Sequence, residues 1–343
     1  MRRMLVLTIA PALALLLAAP AWACGGLIGP NGTVSLGRTT TLAGYHDGVE
    51  HYVTSFSFEG AGGAFGSLIP LPGIPSSVER GGDWTLQRLV RETQPPRVLA
   101  AASAGTAGAA DDAAEVILQK RIDALDITVL KGGGASVGEW ATNNGFRLPP
   151  DAPDVLDFYA RRSPVFLAAR FDADAARRQG IALGQGTPIH VTILTPDPWV
   201  PLRILALGKK ATEPVQADVY LLTDKRPTLL PTGRTGVDIA RDEPASQQLL
   251  ADLRSDKGMQ WVPAAMHLTY LRLFVPAGLL TYDLAVDAHG TGHPSPVAAG
   301  LSSVPVPHPS PTATRTVVLA ILVMLLGVAG GAAVARREWA PTA

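Results

Sequence analysis

TVSLGRTTTLAGYHDGVEHYVTSFSF, residues 33–58, decides the fold class of this 343-residue chain. Two runs rich in β-branched and aromatic residues, 33–42 and 50–58, flank the turn cluster Gly44-Tyr45-His46-Asp47-Gly48. In the second run Tyr52, Thr54, Phe56 and Phe58 recur with a period of two, so they share one face of a strand. The pair reads as a β-hairpin. Working outward, similar short runs occur at 127–130, 164–171, 189–194, 202–207, 215–223, 268–275 and 282–286. The 35 glycines and 29 prolines fit a chain of many turns better than a helical bundle. Helical patterns are few and short. Residues 83–92 have Asp83 as an N-cap and Trp84, Leu86, Leu89 and Val90 as an apolar stripe, and 137–143, 154–161 and 244–254 follow the same period. The expected fold class is α+β: β-rich and mainly antiparallel, with a few short helices.

The two ends are read as sorting signals. Arg2 and Arg3 precede the apolar stretch 4–19, and Ala21-Trp22-Ala23 is a small-x-small cleavage site, so 1–23 is expected to be a signal peptide. Cleavage there makes Cys24 the first mature residue. Ala23 and Cys24 are therefore the processing site, and Cys24 would be the lipidation site if the signal were of the lipoprotein kind. Against that stand Ala21, where a branched aliphatic is wanted, and bulky Trp22. Residues 317–335 (VVLAILVMLLGVAGGAAVA) are 19 uncharged residues, long enough to cross about 30 Å of hydrocarbon at 1.5 Å per residue. Arg336-Arg337 follows at once, which orients 336–343 toward the cytoplasm. The expectation is a single-pass cell-membrane protein with its bulk outside. Residues 24–286 form the extracytoplasmic domain, which could break near 100–113, and 287–316, rich in proline, form a stalk. A weaker break is expected over 224–243.

Of 29 basic and 29 acidic residues, Arg2, Arg3, Arg336, Arg337 and Glu338 lie in the terminal segments. That leaves 25 against 28, a net of about −3, which gives no footprint for nucleic acid. The lone Cys24 excludes an internal disulfide.

The one catalytic-looking pattern is Gly134-Ala135-Ser136-Val137-Gly138, which fits a G-x-S-x-G nucleophile elbow between a strand-like run and a helical one. Ser136 would then need a base such as His190 or His267. The competing reading is Ser136 as an N-cap, with Glu139 three residues on completing a capping box. Histidines 46, 51, 190, 267, 289, 293 and 308 show no metal-ligand spacing. Gly60-Ala61-Gly62-Gly63 lacks the spacing of a dinucleotide loop, and Asp111-Asp112 and Asp172-Ala173-Asp174 lack the rest of a calcium loop. No cofactor and no metal are expected.

Several fragments occur in a recognisable order: Cys24-Gly25-Gly26, Ser67-Leu68-Ile69-Pro70-Leu71-Pro72, Glu139-Trp140, and Asn143-Asn144-Gly145-Phe146-Arg147-Leu148-Pro149. Pro164-Val165-Phe166-Leu167-Ala168-Ala169-Arg170 and Val200-Pro201-Leu202-Arg203-Ile204 follow. This set resembles the bacterial DUF2330 family of exported, often membrane-anchored proteins, over about residues 24–223. The resemblance implies no assigned activity and no catalytic residues. The fragments also have a physical meaning: Pro70 and Pro72 suit an edge strand, Asn144-Gly145 a helix C-cap, and Val200-Pro201 the start of a strand carrying Leu202, Ile204 and Ala206. Two functions are expected from different classes. One is a non-enzymatic envelope module with a protein or glycan partner; the other is an exported serine hydrolase using Ser136.

Overall fold

A computed structural model describes residues 27–28, 35–36, 39–55, 58–59, 65–93, 114–180 and 187–301. The expected signal peptide 1–23, Cys24, 100–113 and the expected membrane span 317–335 lie outside these residues. In chain order the strands begin with β1 (Leu27–Ile28), β2 (Ser35–Leu36), β3 (Thr39–His46), β4 (Val49–Ser55), β5 (Phe58–Glu59), β6 (Phe65–Leu71) and β7 (Pro75–Arg80). Helix α1 (Thr85–Thr93) leads to β8 (Glu115–Ile122) and β9 (Leu125–Lys131). Two helices, α2 (Gly134–Asn143) and α3 (Ala152–Ala160), precede β10 (Val165–Phe171), α4 (Ala173–Arg178), β11 (Ile189–Leu194) and β12 (Trp199–Val200). Then come β13 (Pro214–Thr223), β14 (Thr228–Leu230), β15 (Val237–Pro244), α5 (Gln247–Ser255), β16 (His267–Pro276) and β17 (Leu284–Asp287).

The expected hairpin is β3–β4, closed by Asp47 and Gly48, both at positive φ as a tight two-residue turn requires. It sits inside a seven-stranded sheet of order β15-β16-β13-β3-β4-β11-β7. Every pairing there is antiparallel except β3 with β13, which run parallel with Thr39 opposite Ala217. A five-stranded sheet, β1-β6-β10-β9-β8, is antiparallel throughout. The β-rich expectation holds, with one parallel joint at the middle of the larger sheet.

Alternation along β4 sends neighbouring side chains to different layers. Tyr52 joins the large apolar cluster that also contains the five-stranded sheet, α2 and α3. Val53 joins a second cluster with Leu86 and Leu89 of α1 and Leu249, Leu250 and Leu253 of α5. The larger sheet is thus buried on both faces. Between the sheets a cavity of about 20 Å³ is lined by Thr41, Thr54, Ser67 and Val219. It is large enough for about one water, and the buried Ser67 Oγ has no hydrogen-bond partner among the described residues.

Several boundaries differ from expectation. Residues 202–207 were expected as a strand but form a 3-10 turn, Arg203–Ala206. The cause is remote: the Asp283 carboxylate accepts the N–H groups of Leu202 (2.7 Å) and Arg203 (2.9 Å), and the Tyr159 hydroxyl oxygen accepts that of Ile204 (2.8 Å). The expected break at 224–243 contains β14 and the edge strand β15. Residues 287–301, expected as the start of a stalk, belong to the compact unit. Ala288, Ala298 and Ala299 are buried, the Asp283 N–H donates to the Ala299 carbonyl (2.9 Å), and the compact unit ends at Leu301. Arg162 clasps this segment: it donates to the Ala298 carbonyl (2.6 Å), pairs with buried Asp283, and lies over the rings of Phe158, Tyr159 and Trp199.

Candidate functional site

Ser136 lies in the first turn of α2, whose N-cap is Gly133 and makes no side-chain hydrogen bond. The capping reading of it fails, because a residue already inside the helix is not its cap. Among the described residues no hydrogen bond joins it to a histidine. His190 and His267, the bases it would need, bond His51 and Asp242 instead (3.0 and 2.7 Å). The other end of α2 is as expected: Gly145 adopts φ +81°, and Phe146 N–H and Gly145 N–H close a Schellman motif on Ala141 and Thr142. Asp172 caps α4, and Gly60–Gly63, Asp111-Asp112 and His308 fall outside the described residues.

The groups with unusual chemistry gather instead on the β3–β4 hairpin. Register places Tyr45 opposite Glu50, and His51 beside β11. Glu50, in phase with Tyr52, points into the large core at 1% exposure, and neither carboxyl oxygen has a hydrogen-bond partner among the described residues. Burial pushes its carboxyl up to about 8. Tyr45 donates its hydroxyl to the Thr195 carbonyl (2.9 Å) and meets His289 Nε2 at 3.1 Å. Its phenol is raised first by burial, then by Glu50, Asp197 and Asp224.

On the opposite face His51 Nδ1 and His190 Nε2 are 3.0 Å apart. The His51 ring stacks flat on Trp261, with centroids 3.9 Å apart and planes within 1°. Gly44 makes room for this, since a Cβ there would overlap the Trp261 ring. Burial lowers both imidazoles, His51 to about 3 with help from His190 and His46, and His190 to about 4. Both rings are neutral at pH 7, one donating to the other.

At the hairpin tip, His46 Nδ1 is 2.7 Å from Asp224 and its Nε2 3.4 Å from Asp47. These three residues bring their donor atoms within 4.8 Å of one another, the set among the described residues that could hold a metal ion. Each nitrogen of the one ring faces a different carboxylate, so side-chain contacts at the hairpin tip account for the arrangement.

A family model described as an uncharacterized protein conserved in bacteria, DUF2330, matches residues 18–252, more than half of the chain. The chain belongs to the DUF2330 family. The matched span of this DUF2330 member takes in Glu50, His51 and His190, while Trp261, Asp283 and His289 lie beyond it. No curated protein matches the chain. Among solved structures, the crystal structure of baculovirus P35 is similar with a TM-score of 0.39 at 7% identity, covering 74% of this chain and 97% of that one. A mutated baculovirus P35 after caspase cleavage gives 0.35 at 7% identity, covering 73% and 99%. Among the described residues no helix is long and apolar enough to cross a membrane.

The hairpin cluster was only partly visible in the sequence. Tyr52 and Thr54 were placed on one face, and the same alternation carried two residues back puts Glu50 on that face. The His51–His190 meeting depends on which strand lies beside β4, which no local pattern specifies.

Proposed function

We propose that this protein is a membrane-anchored extracytoplasmic module that presents its folded unit to an envelope protein or glycan and performs no catalysis. One observation carries the reading: a charged then apolar N-terminus ending in Ala21-Trp22-Ala23 shares a chain with the uncharged stretch 317–335 followed by Arg336-Arg337. The absence of catalysis is supported by how the ionisable groups of the unit are used. Asp283 holds a turn and an arginine, and Asp287 accepts from His289, Thr291, Gly292 and His293, which are fold-building roles. Ser136, the residue of the hydrolase alternative, has no observation in its favour.

Protease applied to spheroplasts is expected to digest the folded unit and leave a membrane-protected C-terminal fragment. Full protection of the unit would overturn the topology. Crosslinking in intact membranes should recover a protein or glycan partner, and a strictly monomeric, partnerless chain would overturn the interaction role.

A further inference from the structure

Adjacent residues of β4 point to opposite faces of the sheet, and each is placed where it must be uncharged. Glu50 faces the large core without a cation or a hydrogen-bond donor among the described residues. The titratable groups acting with it are Tyr45 on β3 and Tyr52 on β4, both neutral acids, while its other cross-strand neighbour, Ile193 on β11, is apolar. His51 faces the α1–α5 layer, with His190 of β11 at hydrogen-bond distance and Trp261 across its ring. The further charged or titratable groups acting there are His46 from β3, on His51, and Glu79 from β7, on His190. A buried carboxylate with no partner is strongly disfavoured, and two imidazolium ions 3.0 Å apart in a largely dry site repel.

We propose that β4 is a two-sided proton gauge: the hairpin stays packed only while Glu50 holds its proton and the His51–His190 pair is not doubly protonated. On the alkaline side, ionising Glu50 draws water to it and weakens the packing of Tyr45. The contact most exposed to that change is Tyr45–His289, which holds the start of residues 287–301 against the hairpin. On the acid side the pair loses its donor–acceptor bond once both rings carry a proton, and the stack under Trp261 loosens. The pair titrates as a unit, so the acid limb belongs to both residues.

The signs follow from linkage. Glu50 folded holds its proton to about 8, whereas an unfolded glutamate releases it near 4.5. The stability it contributes is present below the unfolded value and is lost as pH rises through the folded one. The histidines, at about 3 and 4 folded and 6.5 unfolded, contribute stability above pH 6.5 that is lost as pH falls toward 3. Together they give a dome.

The test uses the full chain in detergent, with the thermal midpoint followed by tryptophan fluorescence from pH 3.5 to 9. The midpoint is expected to peak near pH 6.5 and to fall by about 2–4 °C from there to pH 8.5. Glu50→Gln should flatten that limb and leave the acid limb in place, and His190→Gln should do the reverse. Protection factors at residues 287–293, taken relative to the intrinsic exchange rate at each pH, should fall as pH rises in the wild type and not in Glu50→Gln. Should either variant fail to fold, infrared spectra of the wild type at pH 7 still decide the alkaline side. A protonated-carboxyl band supports the gauge, and carboxylate bands alone overturn it. A wild-type profile flat across the range, or an alkaline limb surviving in Glu50→Gln, overturns it as well.

Discussion

Ser136 and Glu50 exchange the importance that the sequence assigns them. Gly134 to Gly138 fits a catalytic pentapeptide, yet α2 begins at Gly134 and carries Ser136 inside its first turn. With its hydroxyl half-buried and unused as a cap, Ser136→Ala should change stability by less than about 0.5 kcal/mol in a denaturant titration. It should also leave a fluorophosphonate probe as unreactive as before. Glu50, by contrast, belongs to no motif. Its signal is a violation: an acidic residue in phase with Tyr52 and Thr54 on a face that must be buried for the hairpin to pack. Alternation alone makes that legible. The neighbouring histidine pair was not legible, because His51 and His190 are joined by sheet order and not by spacing.

Among the elements, α1 shows where local reading stops. Its apolar residues Leu86 and Leu89 are buried as the periodicity requires, but Asp83 is not what closes its N-terminus. The Asp256 carboxylate, from just beyond α5, accepts from the N–H groups of Asp83, Trp84 and Thr85 and from the Thr85 hydroxyl. Burial works to raise this carboxyl, and the bonds from Thr85, Trp84, Lys257 and Asp83 outweigh it and hold it below the usual aspartate range. Asp256→Ala should cost about 3 kcal/mol or more, read as a lower denaturation midpoint, because it removes a cap and leaves buried donors unpaired. Caps that close within a few residues, such as Asn144-Gly145 on α2, could be read directly. Those supplied from far along the chain, Asp256 to α1 and Asp283 to the turn at Arg203–Ala206, could not. The turn took its helical shape from that carboxylate despite a β-like run of Leu202, Ile204 and Ala206. Strand β15 escaped notice for another reason. It is an edge strand with a register shift between Ile239 and Arg241 and its charges paired as Arg226–Asp242, Arg241–Glu243 and Arg272–Asp238. A polar, bulged strand is what a protected sheet edge needs and what a hydrophobic-pattern scan passes over.

For the whole molecule, the folded unit is longer than proline content implies. Residues 287–301 hold Pro294 and Pro296 and read as part of a stalk, yet they are pinned by Asp287, Asp283 and Arg162, with Gly300 at φ +63° against the Phe158 ring. A fragment ending at residue 286 should therefore show a clearly lower melting temperature than one ending at 301, measured side by side. Equal midpoints would mean that the clasp contributes nothing. The β-rich class and most strand positions were recoverable from alternation. The order of strands was not, since it rests on contacts between distant parts of the chain.

The parallel joint between β3 and β13 has a consequence for biogenesis. A chain delivered from its N-terminus would present the β3–β4 hairpin early, with both of its outer strands still awaiting neighbours. The gap beside β4 closes when β11 arrives, and Thr39 must wait for Ala217 before the other side is sealed. Folding of the larger sheet is thereby a late event that follows delivery of β13, and the nascent hairpin needs shielding from its own kind until then.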